Sequence, residues 1–368
     1  MIEARLRKNL DWPLLFLTFL IAGMGVLIIF SATRGDPTPF YTKQIVWIVL
    51  GTGLLAAAAF VDYHLYARFA RQIYLLNLLL LALVDLGHLS HSAKGAARWI
   101  NLGGFQFQPS EFAKLFVILT LAVFLTRRQE TIREGKTLLL SFLYIALPVA
   151  LIFKQPDLGT ALVVLAIWFG MVYMAGARIA HLAAFLVVGV LLFVGMWHTH
   201  LIKDYQKNRL IAFIHPEADP KETGYHVLQA RIAIGSGGMW GKGFGRSTQV
   251  RGGYIPERQT DFIFTDVGEE LGFVGSVLVT LLYAGFLLRG VLIIAASDED
   301  VLGKLIATGI VTLFAFHVLL NIGMNIGIMP VAGVPLPFFS YGGSNMLVAL
   351  ACVGVLQSVS LHRHQLLF

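Results

Sequence analysis

Runs of about twenty apolar residues, separated by short polar connections, recur along almost the whole chain. With about 20 apolar residues needed for one membrane crossing, the pattern predicts ten helices, at 13–32, 44–61, 73–90, 111–127, 138–154, 158–176, 180–198, 263–290, 303–329 and 342–361. The expected class is an all-α polytopic membrane protein, a single integral membrane domain over 1–368. The first run follows Arg5, Arg7 and Lys8 as a signal peptide would, but it exceeds the 7–15 residues of a signal core and more spans follow, so it reads as an uncleaved first helix.

One connection breaks the rhythm, a large loop between helices 7 and 8 at about 199–262. Connections of that length inside a compact domain are usually functional or disordered. Tyr225 to Ile234 has the periodicity of a helix lying along a membrane surface. The stretch that follows, Gly235 to Gly245, is glycine-rich, which suits either a set of tight turns or close approach of backbone to a ligand.

Composition agrees with the pattern: 57% of residues are hydrophobic and 13% charged, against about 45–50% and 25% in globular proteins. The formal charge of +7 does not require nucleic acid, because much of the excess lies in loops flanking the spans. Arg5, Arg7, Lys8, Arg68, Arg71, Arg127, Arg128, Arg133, Lys136, Arg178, Lys304 and Arg363 fall on the side of the termini, and only Arg34, Lys43, Lys94, Arg98 and Lys154 fall in short loops opposite. The positive-inside bias then predicts cytoplasmic termini and an external 199–262 loop. Cys352 is the single cysteine, so no intrachain disulfide or cysteine metal cluster can form.

Three stretches carry candidate chemistry. The first, Ile255 to Glu270, packs Glu257, Asp261, Asp266, Glu269 and Glu270 with Arg258 at the mouth of a segment that must enter lipid. Ionisable groups at such depth are costly and usually have a task, although acids in a first helical turn also complement the helix dipole. The second, Arg98 to Lys114, offers Ser110 as a helix cap, Glu111 in the first turn and Lys114 on the same face. Lys114 is either a snorkelling anchor paired with Glu111 or a cationic site for phosphate, with Asp157 as a further candidate partner. The third, Pro330 to Gly343, breaks helicity at membrane depth, which is tolerated where backbone is buried in protein or lines a cavity. His317, Asn321 and Asn325 precede it, as a polar cavity wall or as hydrogen bonds between helices. Lys242 after Gly241 does not make a nucleotide P-loop, because Ser236 and Gly243 stand where that pattern needs Gly and Ser or Thr.

Together Arg98-Trp-Ile, Phe107-Gln-Pro-Ser-Glu-Phe-Ala-Lys114, Gln155-Pro-Asp-Leu-Gly-Thr-Ala161, Pro256-Glu-Arg-Gln-Thr-Asp-Phe-Ile-Phe264 and Pro337-Phe-Phe-Ser-Tyr-Gly-Gly-Ser344 resemble, in order and spacing, the motifs of the SEDS family (shape, elongation, division and sporulation). Asn208-Arg209, Pro216 to Pro220, Gly224-Tyr-His226 and Ile232 to Gly238 look more like its elongation branch, RodA-like, than its division branch, FtsW-like, whereas Phe244 to Gln249 leans toward the division pattern. Two positions depart from the family: Gln259 stands where histidine is usual, and Asp266 where a small or apolar residue is common.

The resemblance implies a ten-span peptidoglycan glycosyltransferase of the bacterial plasma membrane that polymerises lipid II during cell elongation, with a class B penicillin-binding protein transpeptidase and other elongation-complex proteins as partners. It makes Asp261 the catalytic base and places Lys114, Glu111, Asp157, Arg98, Lys242, Glu257, Arg258 and Ser340 around the substrate. Glu257, four residues before Asp261, would raise its pKa by like charge or join it around a divalent cation, magnesium or manganese. A lipid II flippase is the competing reading. The clustering of carboxylates on one face favours the enzyme, since a translocation path should space polar groups through the midplane and only Lys114, His317, Asn321 and Asn325 come near that description. A scaffold without activity would leave Glu111, Lys114 and Asp261 unexplained.

Overall fold

The computed structural model describes residues 9–85, 90–93, 96–102, 105–198, 204–215, 223–255 and 257–362. Its elements in chain order are α1 (Trp12–Ala32), α2 (Phe40–Phe60), α3 (Tyr63–Arg68), α4 (Ala70–Asp85), β1 (Ser90–Ala93), β2 (Ala96–Leu102), β3 (Phe105–Phe107), α5 (Pro109–Thr126), α6 (Gly135–Lys154), α7 (Leu158–Met174), α8 (Ile179–His198), α9 (Asp204–Ile214), α10 (Thr223–Ser236), α11 (Ile263–Ala296), α12 (Val301–Ile326) and α13 (Gly343–His362). Each of the ten apolar runs holds one helix. Eight of these helices are long and apolar enough to cross a membrane, and α4 and α7 are shorter apolar helices.

The third run ends sooner than the hydrophobic pattern predicts. Expected to reach 90, α4 is described as far as Asp85, and by Ser90 the chain is in a three-stranded antiparallel sheet of order β1-β2-β3, with Ile100 opposite Phe107 and Leu102 opposite Phe105. Asp85 and Gly87 end the apolar run, and Trp99 and Ile100, an aromatic and a β-branched residue, suit a strand.

Helix ends follow local chemistry. The Asp11 carboxylate accepts from Leu14 N–H at 2.9 Å to start α1, Asp157 from Thr160 N–H at 3.2 Å to start α7, and Asp300 from Gly303 N–H at 3.0 Å to start α12. Gly327, at φ 78, closes α12 in the left-handed conformation. Nearly all of α13 is buried, packed along α2, whereas almost none of α8 is covered by protein.

The element that matters most for the site is α11, which is two helices. Gly272 adopts φ 68, ψ −160 inside it, leaving a nine-residue piece from Ile263 before the membrane span proper. A break frees backbone groups that lipid cannot satisfy. Here the glycine-rich segment satisfies them: Lys242 and Gly243 N–H donate to the Glu269 and Glu270 carbonyls, both at 3.0 Å, and Phe273 and Val274 N–H donate to the Gly238 and Met239 carbonyls at 2.9 and 3.1 Å. Contact is so close that a Cβ on Gly237 would collide with the Gly268 carbonyl, and one on Gly241 with that of Glu270. These glycines serve backbone packing against α11.

Candidate active site

Asp261 sits in a turn, residues 257–262, that leads into the short first piece of α11. Glu257 opens the turn at φ 55, and its carbonyl accepts from Thr260 N–H at 3.1 Å and Phe262 N–H at 3.3 Å. Three consecutive carbonyls of the turn are then tied down from outside. Tyr341 N–H donates to Gln259 O at 2.8 Å and Ser340 Oγ to Thr260 O at 2.6 Å. Asn321 and Asn325 Nδ2 donate to Asp261 O at 2.9 and 3.1 Å. The backbone of Asp261 is thereby fixed while the residue as a whole is only half-buried.

Beside that carboxylate lies an arginine from α9. A Cβ built on Gly333, itself at φ 67, would be 3.6 Å from Asp261 Oδ2 and 3.8 Å from Arg209 Nη1. Glycine at 333 keeps this space open between a carboxylate and a guanidinium.

The irregular segment 330–342 that grips the turn is itself fully engaged at membrane depth. Tyr283 Oη donates to Pro337 O at 2.6 Å, Asn321 Nδ2 to Val334 O at 2.8 Å, Leu336 N–H to Ser340 Oγ at 2.8 Å and Gln44 Nε2 to Ser340 O at 3.0 Å. His317 Nδ1 lies 3.1 Å from Pro335 O, and its Nε2 is 3.1 Å from Lys114 Nζ. An ammonium can only donate, so Nε2 accepts and Nδ1 carries the proton that reaches Pro335. His317, Asn321 and Asn325, spaced by four, put this support on one stripe of α12.

Lys114 is buried, with only 1% of its surface exposed, and pairs with Glu111 Oε2 at 2.8 Å. Asp157 is not its partner. The Asp157 carboxylate instead receives Ser110 Oγ at 3.1 Å, Thr160 Oγ1 at 3.0 Å and Gln108 Nε2 at 3.3 Å. The helix-capping role open to Asp157 from sequence is the one it fills.

Several other expected substrate contacts are spent on the protein itself. Ser340 is fully buried, and its hydroxyl bonds internally on both sides. Arg258 Nη2 pairs with Asp36 at 2.7 Å and its Nη1 donates to Val250 O at 2.7 Å, strapping the turn to the α1–α2 connection. Lys242 Nζ reaches Glu269 Oε1 at 2.6 Å and Thr248 Oγ1 at 2.7 Å. The side chain of Arg98 lies outside the described residues.

Glu269 and Glu270 do more than complement a helix dipole. Glu269 is fully buried and accepts from Thr248, Gln249 and Val250 N–H at 2.7, 2.9 and 3.1 Å besides Lys242 and Thr248 Oγ1. Glu270 receives Ser31 Oγ from α1 at 2.6 Å. Asp266 is also fully buried, and neither of its oxygens has a well-formed hydrogen bond among the described residues. Replacing Glu269 by Gln keeps the shape but turns an amide N–H₂ toward these donors. We expect a loss of about 2 kcal/mol, read as faster proteolysis within 242–255 and a lower thermal midpoint.

As for a metal, no three His, Cys, Asp or Glu side chains converge on a common point among the described residues. A divalent cation at Glu257 and Asp261 would have two carboxylates at most and would need the remaining oxygens from water or substrate.

Sequence reasoning missed Arg209 as a site residue, because nothing in the 51 intervening residues signals that α9 folds back onto the Asp261 turn. It also missed Gln44, whose amide joins α2 to Ser340 and, at 3.4 Å, to Gly342 N–H.

A family model of cell cycle proteins, FtsW/RodA/SpoVE, matches residues 12–365. The chain belongs to this family. Among curated relatives, the peptidoglycan glycosyltransferase MrdB of Escherichia coli K12 is 37% identical over 364 residues, covering 98% of this chain and 96% of that protein. Stage V sporulation protein E of Bacillus subtilis 168 is 36% identical over 360 residues, covering 95% and 96%. Among solved structures, a chain from a peptidoglycan synthase complex that coordinates polymerization and crosslinking superposes with a TM-score of 0.81 at 32% identity, covering 97% of this chain and 99% of that one. As in its FtsW/RodA/SpoVE relatives, the apolar helices make this a multi-pass membrane protein.

Proposed function

We propose that this FtsW/RodA/SpoVE protein is a peptidoglycan glycosyltransferase that polymerises lipid II, with Asp261 as its general base. The observation that carries the reading is the Asp261 turn: three successive carbonyls are anchored, yet the residue is only half-buried, with its carboxylate beside Arg209. Such an arrangement holds a base still without burying it.

In the reaction, the 4-hydroxyl of the acceptor GlcNAc attacks C1 of the donor MurNAc. The O4–C1 bond forms, the bond from C1 to the lipid pyrophosphate breaks with inversion from α to β, and Asp261 takes the hydroxyl proton. A sugar hydroxyl is a poor nucleophile at neutral pH, and a positioned carboxylate contributes about 10²–10⁴ in rate. Arg209 is the cation beside the carboxylate, and its guanidinium suits the pyrophosphate that departs. Lys114, held by Glu111 and His317, acts at one remove by orienting His317 toward Pro335 and so the segment that grips the turn.

A class B penicillin-binding transpeptidase is the partner this reading calls for, supported by the likeness to a chain of a polymerising and crosslinking complex. Elongation is the favoured context, on the motifs at Asn208-Arg209 and Gly224-Tyr-His226. The test is the purified full-length protein with its transpeptidase and labelled lipid II. Glycan ladders are expected; transport across liposomes without polymer would instead support the flippase.

The basic loops support a bacterial plasma-membrane orientation with both termini cytoplasmic and the Asp261 end outside. Cys352 is buried and Arg246 is exposed. An Arg246→Cys variant in a Cys352→Ala background should therefore react with a membrane-impermeant maleimide on intact spheroplasts. Labelling only after lysis would reverse the orientation.

A further inference from the structure

At the opposite end of α11 from Asp261, the starts of α1 and the ends of α11 and α13 enclose an open cavity of about 310 Å³. Asn9, Asp11, Arg289 and Ser360 form its polar side, and Leu292 and Ala296 belong to its apolar side. The polar side is rigidly built. Asp11 accepts from Arg289 Nε at 3.1 Å, Arg289 Nη2 at 2.7 Å and Leu14 N–H at 2.9 Å, while Gln357 bonds both its N–H and its carbonyl at 2.9 Å. Asp11 needs only part of the guanidinium. Nη1, with two of the five N–H donors, has no hydrogen-bond partner among the described residues, and a third of the Arg289 side chain is exposed.

The apolar side continues out of the cavity. Leu292, Leu288 and Leu281, at helical spacing on α11, are 45%, 58% and 62% exposed, and Trp12 at the start of α1 is 60% exposed. Tryptophan at a helix end is typical of the membrane–water interface. A polar pocket at that level, opening onto an apolar strip along a membrane helix, has the shape of a phospholipid: headgroup in the pocket, acyl chain on the strip.

Charge narrows the headgroup. Among the described lining residues the one cation, Arg289, is already paired with Asp11, which leaves little to reward an anionic lipid. It does present spare guanidinium donors next to carboxylate and carbonyl acceptors. We propose that this cavity binds a zwitterionic phospholipid with a primary ammonium headgroup: Arg289 Nη1 donates to the phosphodiester, and the ammonium donates to the oxygens of Asp11 and Asn9. A quaternary choline headgroup has no N–H to offer those acceptors and is excluded by the same geometry.

The test is native mass spectrometry of the delipidated full-length protein with equimolar phosphatidylethanolamine, phosphatidylcholine and phosphatidylglycerol of identical acyl chains. Retention of phosphatidylethanolamine should exceed that of either competitor by about tenfold. Ala296→Trp fills the cavity from an exposed position without touching the Asp11–Arg289 pair, and should abolish the preference at an unchanged thermal midpoint. Arg289→Lys, which can still pair with Asp11 but lacks Nη1, should reduce it as well. Equal retention of the three lipids, preference for phosphatidylglycerol, or a preference that survives both variants would each overturn the assignment. Wild-type selectivity alone can refute it, whatever the variants do to folding.

Discussion

Asp261→Asn is expected to abolish glycan polymerisation, lowering turnover by about 10²–10⁴, while leaving the fold and lipid II binding nearly intact. The expectation rests on what the substitution spares. The hydrogen bonds from Tyr341, Ser340, Asn321 and Asn325 act on the backbone carbonyls of Gln259, Thr260 and Asp261, and Arg258 straps the turn through its own side chain, so none of these contacts changes when one Asp261 carboxylate oxygen becomes an amide nitrogen. Asp261 is half-buried beside Arg209, and asparagine keeps its size there. What is lost is the ability to take the acceptor's proton. Single-turnover assays with labelled lipid II, alongside a binding measurement, separate the two effects. Near-normal turnover in Asp261→Asn together with an inactive Glu257→Gln would move the base to Glu257.

The second large effect is at Lys114. Removing one partner of a buried ion pair leaves the other as an uncompensated charge, which costs about 3–5 kcal/mol. Lys114→Ala does this to Glu111, whose side chain is 6% exposed, and removes the donor to His317 Nε2 as well. The single variant should lose both stability and polymerisation, which by itself would not show what the lysine does. The double variant Glu111→Gln/Lys114→Met removes both charges at similar volume, so its thermal midpoint should recover most of the loss. Polymerisation should stay depressed, because methionine cannot fix the tautomer through which His317 holds Pro335. Wild-type rates in the double variant would reduce the cluster to a structural anchor.

The ten helices were legible because each is a contiguous apolar run, and contiguity is what sequence displays best. The end of α4 was less so: Leu86 and Leu89 prolong the hydrophobic signal toward 90, where the chain is already in strand β1. Candidate chemistry was legible as residue type but not as direction. Ser340, Arg258, Lys242 and Asp157 are polar groups in or beside the motifs, and sequence cannot tell a group facing a substrate from one spent on a neighbour. Lys242 and Glu269 are 27 positions apart, Arg258 and Asp36 222, and only the fold reveals those pairs. The same limit hid Arg209. The broken helix was hidden differently, because a single glycine in an apolar run, here Gly272, is ordinary in membrane helices, and only its φ of 68 marks the break.

The bonds that hold the turn and its frame have an order in time. Gln44 waits for Ser340 across 296 residues, the turn for Asn321 across 60, and Asp11 for Gln357 across 346. A chain emerging from the ribosome from its N-terminus therefore presents Asp261 with the upstream strap of Arg258 to Asp36 and Val250, but before the groups on α12 and at 340–341 that clamp its turn exist. The Tyr341 and Ser340 clamps arrive only as α13 is being made. Until then a nascent chain has the Asp261 carboxylate but no clamped turn to present it. Chains truncated before residue 340 should then lack the clamp even where their earlier helices have inserted, so that the turn becomes rigid only late in synthesis.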